Sequence, residues 1–251
     1  MSEVMDETKV ICASEKDLIK LFNRVEEVCS NCKSSFKTYR LPNAKELLAS
    51  KYESDYVIPP DWCYDCVNEH LKRKEEKSLL NSRLLEFDRK CPFKNTDFKK
   101  LPDQDAARKA FSHDWNGDRG LMLHGPTGSG KSRTAWPCLE KAITQGLGFF
   151  FVDNSILKMI VLNPYDNTHL KDKCFTSDLL FWDDYGNDSD SPGVEDLVWD
   201  ITKYRNERGK KMLITTQYTS DTLAAKFRSP ERGLSIVRRL KESCVEVNFN
   251  K

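Results

Sequence analysis

The octapeptide Gly125-Pro-Thr-Gly-Ser-Gly-Lys-Ser132 constrains the fold of this chain more than any other feature of its sequence. It follows a short apolar segment, Leu121–His124, and precedes a stretch with helical periodicity, 131–144. A glycine-rich turn in this context presents backbone N–H groups and a helix N-terminus to phosphate. Lys131 would contact the β- and γ-phosphates of a nucleotide, and the Ser132 hydroxyl would bind Mg²⁺. The motif predicts a P-loop that binds ATP and Mg²⁺ through Gly125, Pro126, Thr127, Gly128, Ser129, Gly130, Lys131 and Ser132.

Residues 101–251 alternate short apolar runs with amphipathic stretches, a pattern typical of an α/β fold with a parallel sheet between helices. The predicted strands are Leu121–His124, Phe149–Val152, Asp178–Trp182, Met212–Thr216 and Cys244–Phe249. The predicted helices are 131–144, 155–162, 194–208 and 220–241, and another covers Val67–Lys90. Right-handed crossovers place the loops after the strands along one edge, where ligands bind. We therefore predict a P-loop NTPase domain with a five-stranded parallel sheet, in which Pro137 bends the helix after the P-loop.

Two further strands end in residues suited to nucleotide hydrolysis. The apolar run Leu179–Trp182 is followed by two acids, Asp183 and Asp184. Asp183 would hold Mg²⁺ through its water shell, and Asp184 would act as the general base on the attacking water. The run that starts at Met212 ends in Gln217, which would position that water if this strand end lies beside the γ-phosphate. The predicted reaction is hydrolysis of ATP to ADP and phosphate.

These motifs resemble those of the AAA+ helicase-loader ATPases of the DnaC/DnaI type and of their relative, the transposition helper IstB. The resemblance extends from about residue 95 to 249 and rests on His124–Ser132, Ser177–Gly186, Gly209–Ser220 and Ser235–Val247. The chain departs from the family pattern at Gln217, where Asn is usual, and at Tyr185, where Leu is common.

The resemblance implies a ring or spiral homo-oligomer with ATP at its subunit interfaces, contact with single-stranded DNA, and delivery of a replicative helicase. It also implies an arginine finger near Arg239, with Arg238 as the alternate and a surface ion pair between Arg239 and Glu242 as the simpler interpretation. Because the sequence stops just after the fifth predicted strand, we expect the AAA+ domain, 101–251, to lack a C-terminal helical lid.

Four of the nine cysteines form two Cys-x-x-Cys pairs within residues 1–70, namely Cys29 with Cys32 and Cys63 with Cys66. Four thiolates arranged tetrahedrally form a structural Zn²⁺ site, although the 30 residues between the pairs exceed the usual spacing. Unliganded thiols and a dithiol redox pair are the alternatives, and His70 and Cys91 are possible substitute ligands. We predict a small zinc-binding domain at 1–70 that binds a protein partner or nucleic acid, and a basic helical linker at 71–100.

The composition indicates the cellular compartment of the protein and is compatible with three functions. A formal net charge of +1 gives no overall attraction to nucleic acid or membrane, so any basic surface is local. No apolar run reaches the roughly 20 residues of a membrane span, and Met1–Val10 lacks the apolar core of a signal peptide, so we expect a cytoplasmic protein without a membrane partner. The candidate functions are a helicase loader on single-stranded DNA, an IstB-like transposition helper on duplex DNA, and a P-loop small-molecule kinase.

Overall fold

The computed structural model describes residues 23–40, 64–93, 96–187 and 191–250. The chain divides into two compact units, of which the first ends at Lys77 and the second begins at Ser78. The predicted domain boundaries at residues 70 and 100 remain predictions. No helix in the described ranges combines the length and the apolar character needed to cross a membrane.

The first unit contains an antiparallel hairpin that the sequence patterns did not predict. Strand β1 (Asn23–Val28) pairs with β2 (Ser35–Arg40), and the register sets Val28 opposite Ser35. The connecting turn at 29–34 is closed by two backbone hydrogen bonds between Cys29 and the residues that follow it, at 2.8 and 2.9 Å. The helix α1 (Tyr64–Lys90) begins three residues earlier than predicted.

The second unit contains a five-stranded sheet in which all neighbouring strands are parallel. Its strands are β3 (Gly120–His124), β4 (Phe149–Val152), β5 (Leu179–Trp182), β6 (Lys211–Thr216) and β7 (Cys244–Asn248), in the spatial order β4-β5-β6-β3-β7. The predicted number of strands and their parallel direction are confirmed. Because β6 lies between β3 and β5, its carboxyl end lies between the P-loop and the paired acids.

Helices cover both faces of this sheet. They are α2 (Gln104–Phe111), α3 (Lys131–Thr144), α4 (Asn154–Leu162), α5 (Thr168–Thr176), α6 (Pro192–Glu207), α7 (Ser220–Ala224) and α8 (Pro230–Ser243). Successive strand residues point to opposite faces, which creates two cores. On one face Leu121, Leu179 and Leu213 pack with residues of α2 and α3. On the other face Met122, Leu180 and Met212 pack with residues of α4, α6 and α8.

The helix after the P-loop accommodates Pro137 without ending. The helix α3 runs unbroken through Lys131–Thr144 with Pro137 in its interior. A proline at this position leaves the carbonyl four residues earlier, that of Arg133, without its helical donor. The Thr96 hydroxyl donates to that carbonyl at 3.3 Å, so a side chain from the preceding segment replaces part of the lost hydrogen bonding.

The sequence predicted one helix over 220–241, but the structure has two helices there, so this prediction was wrong. The helix α7 ends at Ala224, and α8 starts at Pro230 after Ser229, whose side chain accepts from the N–H of Arg232. Proline lacks an N–H and suits the first turn of a helix, so Pro230 starts a new helix rather than continuing the old one. Two more helices, α2 and α5, were not predicted.

Candidate nucleotide-binding site

The P-loop connects β3 to α3 in a conformation that depends on glycine. Gly125 has a φ of 145°, and a Cβ there would lie 2.0 Å from the carbonyl oxygen of Phe249. Gly130, with a φ of 96°, immediately precedes Lys131 at the N-terminus of α3. The strand–loop–helix context that the motif requires is therefore present. The nucleotide-binding roles assigned to Gly125, Pro126, Thr127, Gly128, Ser129, Gly130, Lys131 and Ser132 remain predictions.

The Lys131 ammonium is buried within its own loop. Its Nζ donates to the carbonyl oxygens of Gly125 at 2.8 Å and Pro126 at 2.7 Å. Burial lowers the pKa of Lys131, while the carboxylates of Asp184 and Asp183 act in the opposite direction. The charges of both acids therefore act on the lysine, and a bound phosphate would compete with the two carbonyls for its protons.

Asp183 joins the P-loop to β6 through its carboxylate and contacts β4 through its backbone. Its Oδ1 accepts from the Ser132 hydroxyl at 2.9 Å and also from the Thr215 hydroxyl. Its backbone N–H donates to the carbonyl of Val152 at 3.1 Å. The structure thus brings together the hydroxyl and the carboxylate that the sequence assigned to Mg²⁺, and this oxygen pair is a donor set suited to that hard cation.

Asp184 occupies a turn with a left-handed backbone. Its φ is 57°, which is uncommon for a residue with a side chain, and its N–H donates to the Thr215 hydroxyl at 2.9 Å. Burial, reinforced by the Asp183 charge, raises the pKa of Asp184 above the ordinary range, while Lys131 lowers it. A carboxylate with a raised pKa is a stronger base than an exposed one, which suits the predicted role of Asp184.

Gln217 follows β6 and contacts the P-loop directly. Its Oε1 accepts from the Thr127 hydroxyl at 3.1 Å, and its Nε2 donates to Asn187 Oδ1 at 2.7 Å and to the Tyr218 hydroxyl at 2.8 Å. The amide is exposed at the carboxyl edge of the sheet. Its position beside the loop agrees with the predicted contact with an attacking water, although the role itself stays a prediction.

Arg239 lies on α8, where its contacts within the described chain are with its own helix and with α6. Its guanidinium donates to Ser235 and lies 4.8 Å from the ring centre of Trp199. Arg238 is largely exposed, and its Nε lies 3.7 Å from Glu242 Oε1. The ion pair considered for Arg239 is therefore made by Arg238 instead. The guanidinium of Arg239 thus contacts Ser235 and Trp199 within the chain, and its action on another subunit remains a prediction.

Three of the four predicted zinc ligands lie together in the first unit. The sulfur atoms of Cys29, Cys32 and Cys66 are all within 4.8 Å of one another, and Cys29 and Cys66 are 3.7 Å apart. Tetrahedral Zn–S bonds of about 2.3 Å give a sulfur–sulfur separation of about 3.8 Å. A hydrogen bond with Ser34 lowers the pKa of Cys32, which favours the thiolate. The cluster could therefore hold a metal ion; Cys63 lies outside the described residues.

Sequence patterns missed two residues that the structure places at the site. Thr215 contacts both acids, and Asn187 contacts Gln217 and Tyr218. Alternation along β6 puts Leu213 and Thr215 on the same face of the strand, but it does not show which neighbouring strand supplies the partners of Thr215. Asn187 lies in a turn without periodicity, so no comparable pattern marks it.

Comparison with solved structures identifies the fold. The chain matches the crystal structure of the DnaC helicase loader with a TM-score of 0.51 and 23% identity, over 62% of this chain and 98% of that one. It matches the crystal structure of DnaI with a TM-score of 0.50 and 18% identity, over 62% of this chain and 87% of that one. No protein-family model and no curated protein sequence matches the chain. The predicted resemblance to the DnaC/DnaI-type AAA+ fold is confirmed.

Replacing Lys131 by Ala should weaken ATP binding by roughly 10- to 100-fold, because charge-assisted hydrogen bonds contribute about 1.5–3 kcal/mol. Titration with a fluorescent ATP analogue measures this loss. Lys109→Ala, which removes an exposed lysine of α2, is the matched control and should bind like the wild type. Unchanged affinity in Lys131→Ala would refute the P-loop assignment.

Replacing Asp184 by Asn should preserve ATP and Mg²⁺ binding and lower kcat by about 10²- to 10⁴-fold, the usual contribution of a general base. In the wild type, kcat should fall as the pH drops through the raised pKa of Asp184, which lies above that of an exposed aspartate. Asp183→Asn should instead raise the Mg²⁺ concentration required. Normal turnover by Asp184→Asn would show that another group is the base.

Proposed function

We propose that this protein is an ATP-hydrolysing AAA+ switch that loads a replicative DNA helicase onto single-stranded DNA. The ATPase assignment rests on one observation. Four groups interact at one edge of the sheet, namely those of Lys131, Ser132, Asp183 and Asp184. A small-molecule kinase needs the first three of these groups, but a second acid with a raised pKa beside them is suited to water as the acceptor.

Each residue of the site has a different role in the proposed reaction. The P-loop N–H groups and Lys131 bind the triphosphate, with Lys131 exchanging its loop carbonyls for phosphate oxygens. Ser132 and Asp183 would hold Mg²⁺, which neutralises phosphate charge when bound. Gln217 orients a water molecule, and Asp184 removes its proton as the water attacks the γ-phosphorus. ADP and phosphate leave, and the proton passes from Asp184 to solvent.

The loading role is supported by the fold, which this chain shares with a DnaC helicase loader and with DnaI. Residues 71–100 contain ten Lys and Arg against five Asp and Glu, a local positive charge that the overall net charge of +1 lacks, and Lys72 and Arg89 of this stretch are exposed on α1. Part of that charge is neutralised within the helix, because Arg73 pairs with Glu69. Single-stranded DNA is an appropriate ligand for cations of this kind.

Binding to single-stranded DNA should require ATP and should weaken steeply as salt rises, because such contacts are largely electrostatic. Fluorescence anisotropy with a labelled single strand and a duplex of the same sequence measures both effects, with Lys131→Ala as the control without ATP. In parallel, the tagged protein should recover a hexameric replicative helicase. A preference for duplex DNA and no helicase would favour the transposition helper.

The proposed arginine finger predicts complementation between subunits. Arg239→Ala should bind ATP and hydrolyse it poorly, because an arginine finger typically accelerates phosphoryl transfer by about 10³- to 10⁵-fold. Mixing it with Lys131→Ala should restore part of the activity, since one interface can then combine an intact P-loop with an intact arginine. Arg238→Ala is the matched control. Failure to recover at any mixing ratio, with the variants folded and self-associating, would exclude this role.

The cysteine cluster is proposed to hold one Zn²⁺ per chain, with Cys63 as the fourth ligand. Elemental analysis of the purified protein should find about one zinc ion per chain. Cys66→Ser should lose the metal and destabilise the first unit without changing ATP affinity, because metal binding contributes directly to folding. Cys138→Ser, which changes a buried thiol of α3, should retain the zinc. Metal-free wild-type protein would contradict the proposal.

A further inference from the structure

Thr215 stands at the centre of the candidate site, although the sequence patterns assigned it no role. It lies near the carboxyl end of β6, between the strand that precedes the P-loop and the strand that precedes the acids. Its side chain is fully buried. Its hydroxyl donates to Asp183 Oδ1 and accepts from the Asp184 N–H at 2.9 Å. One hydroxyl therefore contacts both acids.

The backbone of Thr215 also makes a hydrogen bond with a third residue of the same turn. Its carbonyl oxygen accepts from the N–H of Tyr185 at 2.8 Å. Asp184 lies between these attachments with its φ of 57°, a conformation that persists only when neighbouring groups hold it. The two attachments from Thr215 fix the turn on either side of the strained residue, and so fix the direction in which its carboxylate leaves the sheet.

The contact between Thr215 and Asp183 involves one particular oxygen of the carboxylate. Thr215 and Ser132 both donate to Oδ1, and the hydrogen bonds of the described residues do not engage Oδ2. A carboxylate with two donors on one oxygen is restricted in rotation about its side-chain bonds. The lone pairs of Asp183 that remain then have a fixed direction, in which they would be available to a hydrated cation.

We propose that Thr215 is a positioning residue for ATP hydrolysis, which orients the Asp183 carboxylate for Mg²⁺ and the Asp184 carboxylate for the attacking water. The inference rests on the proposed ATPase function. Thr215 acts through the two acids and does not itself contact the reacting atoms. Loss of its hydroxyl leaves every group of the P-loop in place but allows both acids to reorient. Displacement by about 1 Å is enough to lower a rate by about 10²-fold.

Thr216 provides a matched comparison on the same strand. It is equally buried, and its hydroxyl also contacts the acid-bearing turn, donating to the carbonyl of Tyr185 at 2.7 Å. It contacts neither acid side chain and lies on the opposite face of β6. Thr216→Val therefore makes the same chemical change beside the same turn without releasing Asp183 or Asp184. A general structural role would make the two substitutions equivalent.

The experiment compares Thr215→Val, Thr215→Ser, Thr216→Val and the wild type. Circular dichroism confirms folding, and Thr215→Ala replaces the valine variant if the latter does not fold. Steady-state hydrolysis gives kcat and KM for ATP, and a fluorescent ADP analogue gives affinity with Mg²⁺ and with EDTA. Thr215→Val should lose about 10²-fold in kcat with an almost unchanged KM. It should also lose part of the gain in affinity that Mg²⁺ provides, while its affinity in EDTA stays that of the wild type.

Thr215→Ser should restore both properties because it keeps the hydroxyl, and Thr216→Val should resemble the wild type. Wild-type kinetics in Thr215→Val, an equal loss in Thr216→Val, or no rescue by serine would overturn the proposal. If the wild type hydrolyses no ATP, the proposed function fails, and the Mg²⁺-dependent affinity alone decides the role of Thr215. An unchanged Mg²⁺ gain in Thr215→Val would then overturn it.

Discussion

The site depends on one shared acceptor, the Oδ1 atom of Asp183, which receives hydroxyl hydrogen bonds from the P-loop helix and from β6. Ser132, Asp183 and Thr215 come from three separate segments, and only a parallel sheet with β6 between β3 and β5 brings their ends together. The register pairs His124 with Thr216 and Trp182 with Ile214, so β3 and β6 end at the same level and β5 ends two residues earlier, directly before the two acids. Sheet order therefore determines the chemistry available at this edge.

Burying three charges in this space is costly unless they compensate one another. Burial lowers the pKa of Lys131 and raises that of Asp184, and each of these two charges opposes the shift of the other. The loop carbonyls that Lys131 contacts resemble phosphate oxygens in being acceptors at hydrogen-bonding distance. Under the proposed function, nucleotide binding would therefore exchange one set of acceptors for another within an existing site. The turn that carries Asp184 is held by β6 without a nucleotide.

The sequence predicted the limits of helices and strands correctly where an apolar run or a fixed motif defined them. Strand β4 was predicted at its observed limits, and α3 likewise, because an apolar run and a P-loop define them. The break before Pro230 was missed since amphipathic periodicity continues across it, and the hairpin at 23–40 was missed because cysteine spacing dominated the interpretation of that region. Thr215 could not be assigned a role, because its importance arises from a neighbouring strand whose position the chain order does not specify.

Turnover of ATP in water enriched in oxygen-18 tests most directly whether this edge of the sheet activates water. With the purified wild-type protein and Mg²⁺, the account predicts one atom of solvent oxygen in each phosphate released, and no turnover when EDTA removes the Mg²⁺. The released phosphate is analysed by mass spectrometry. Bound ATP that is never hydrolysed, or a γ-phosphate recovered on another acceptor without solvent oxygen, would contradict the assignment of a hydrolytic site.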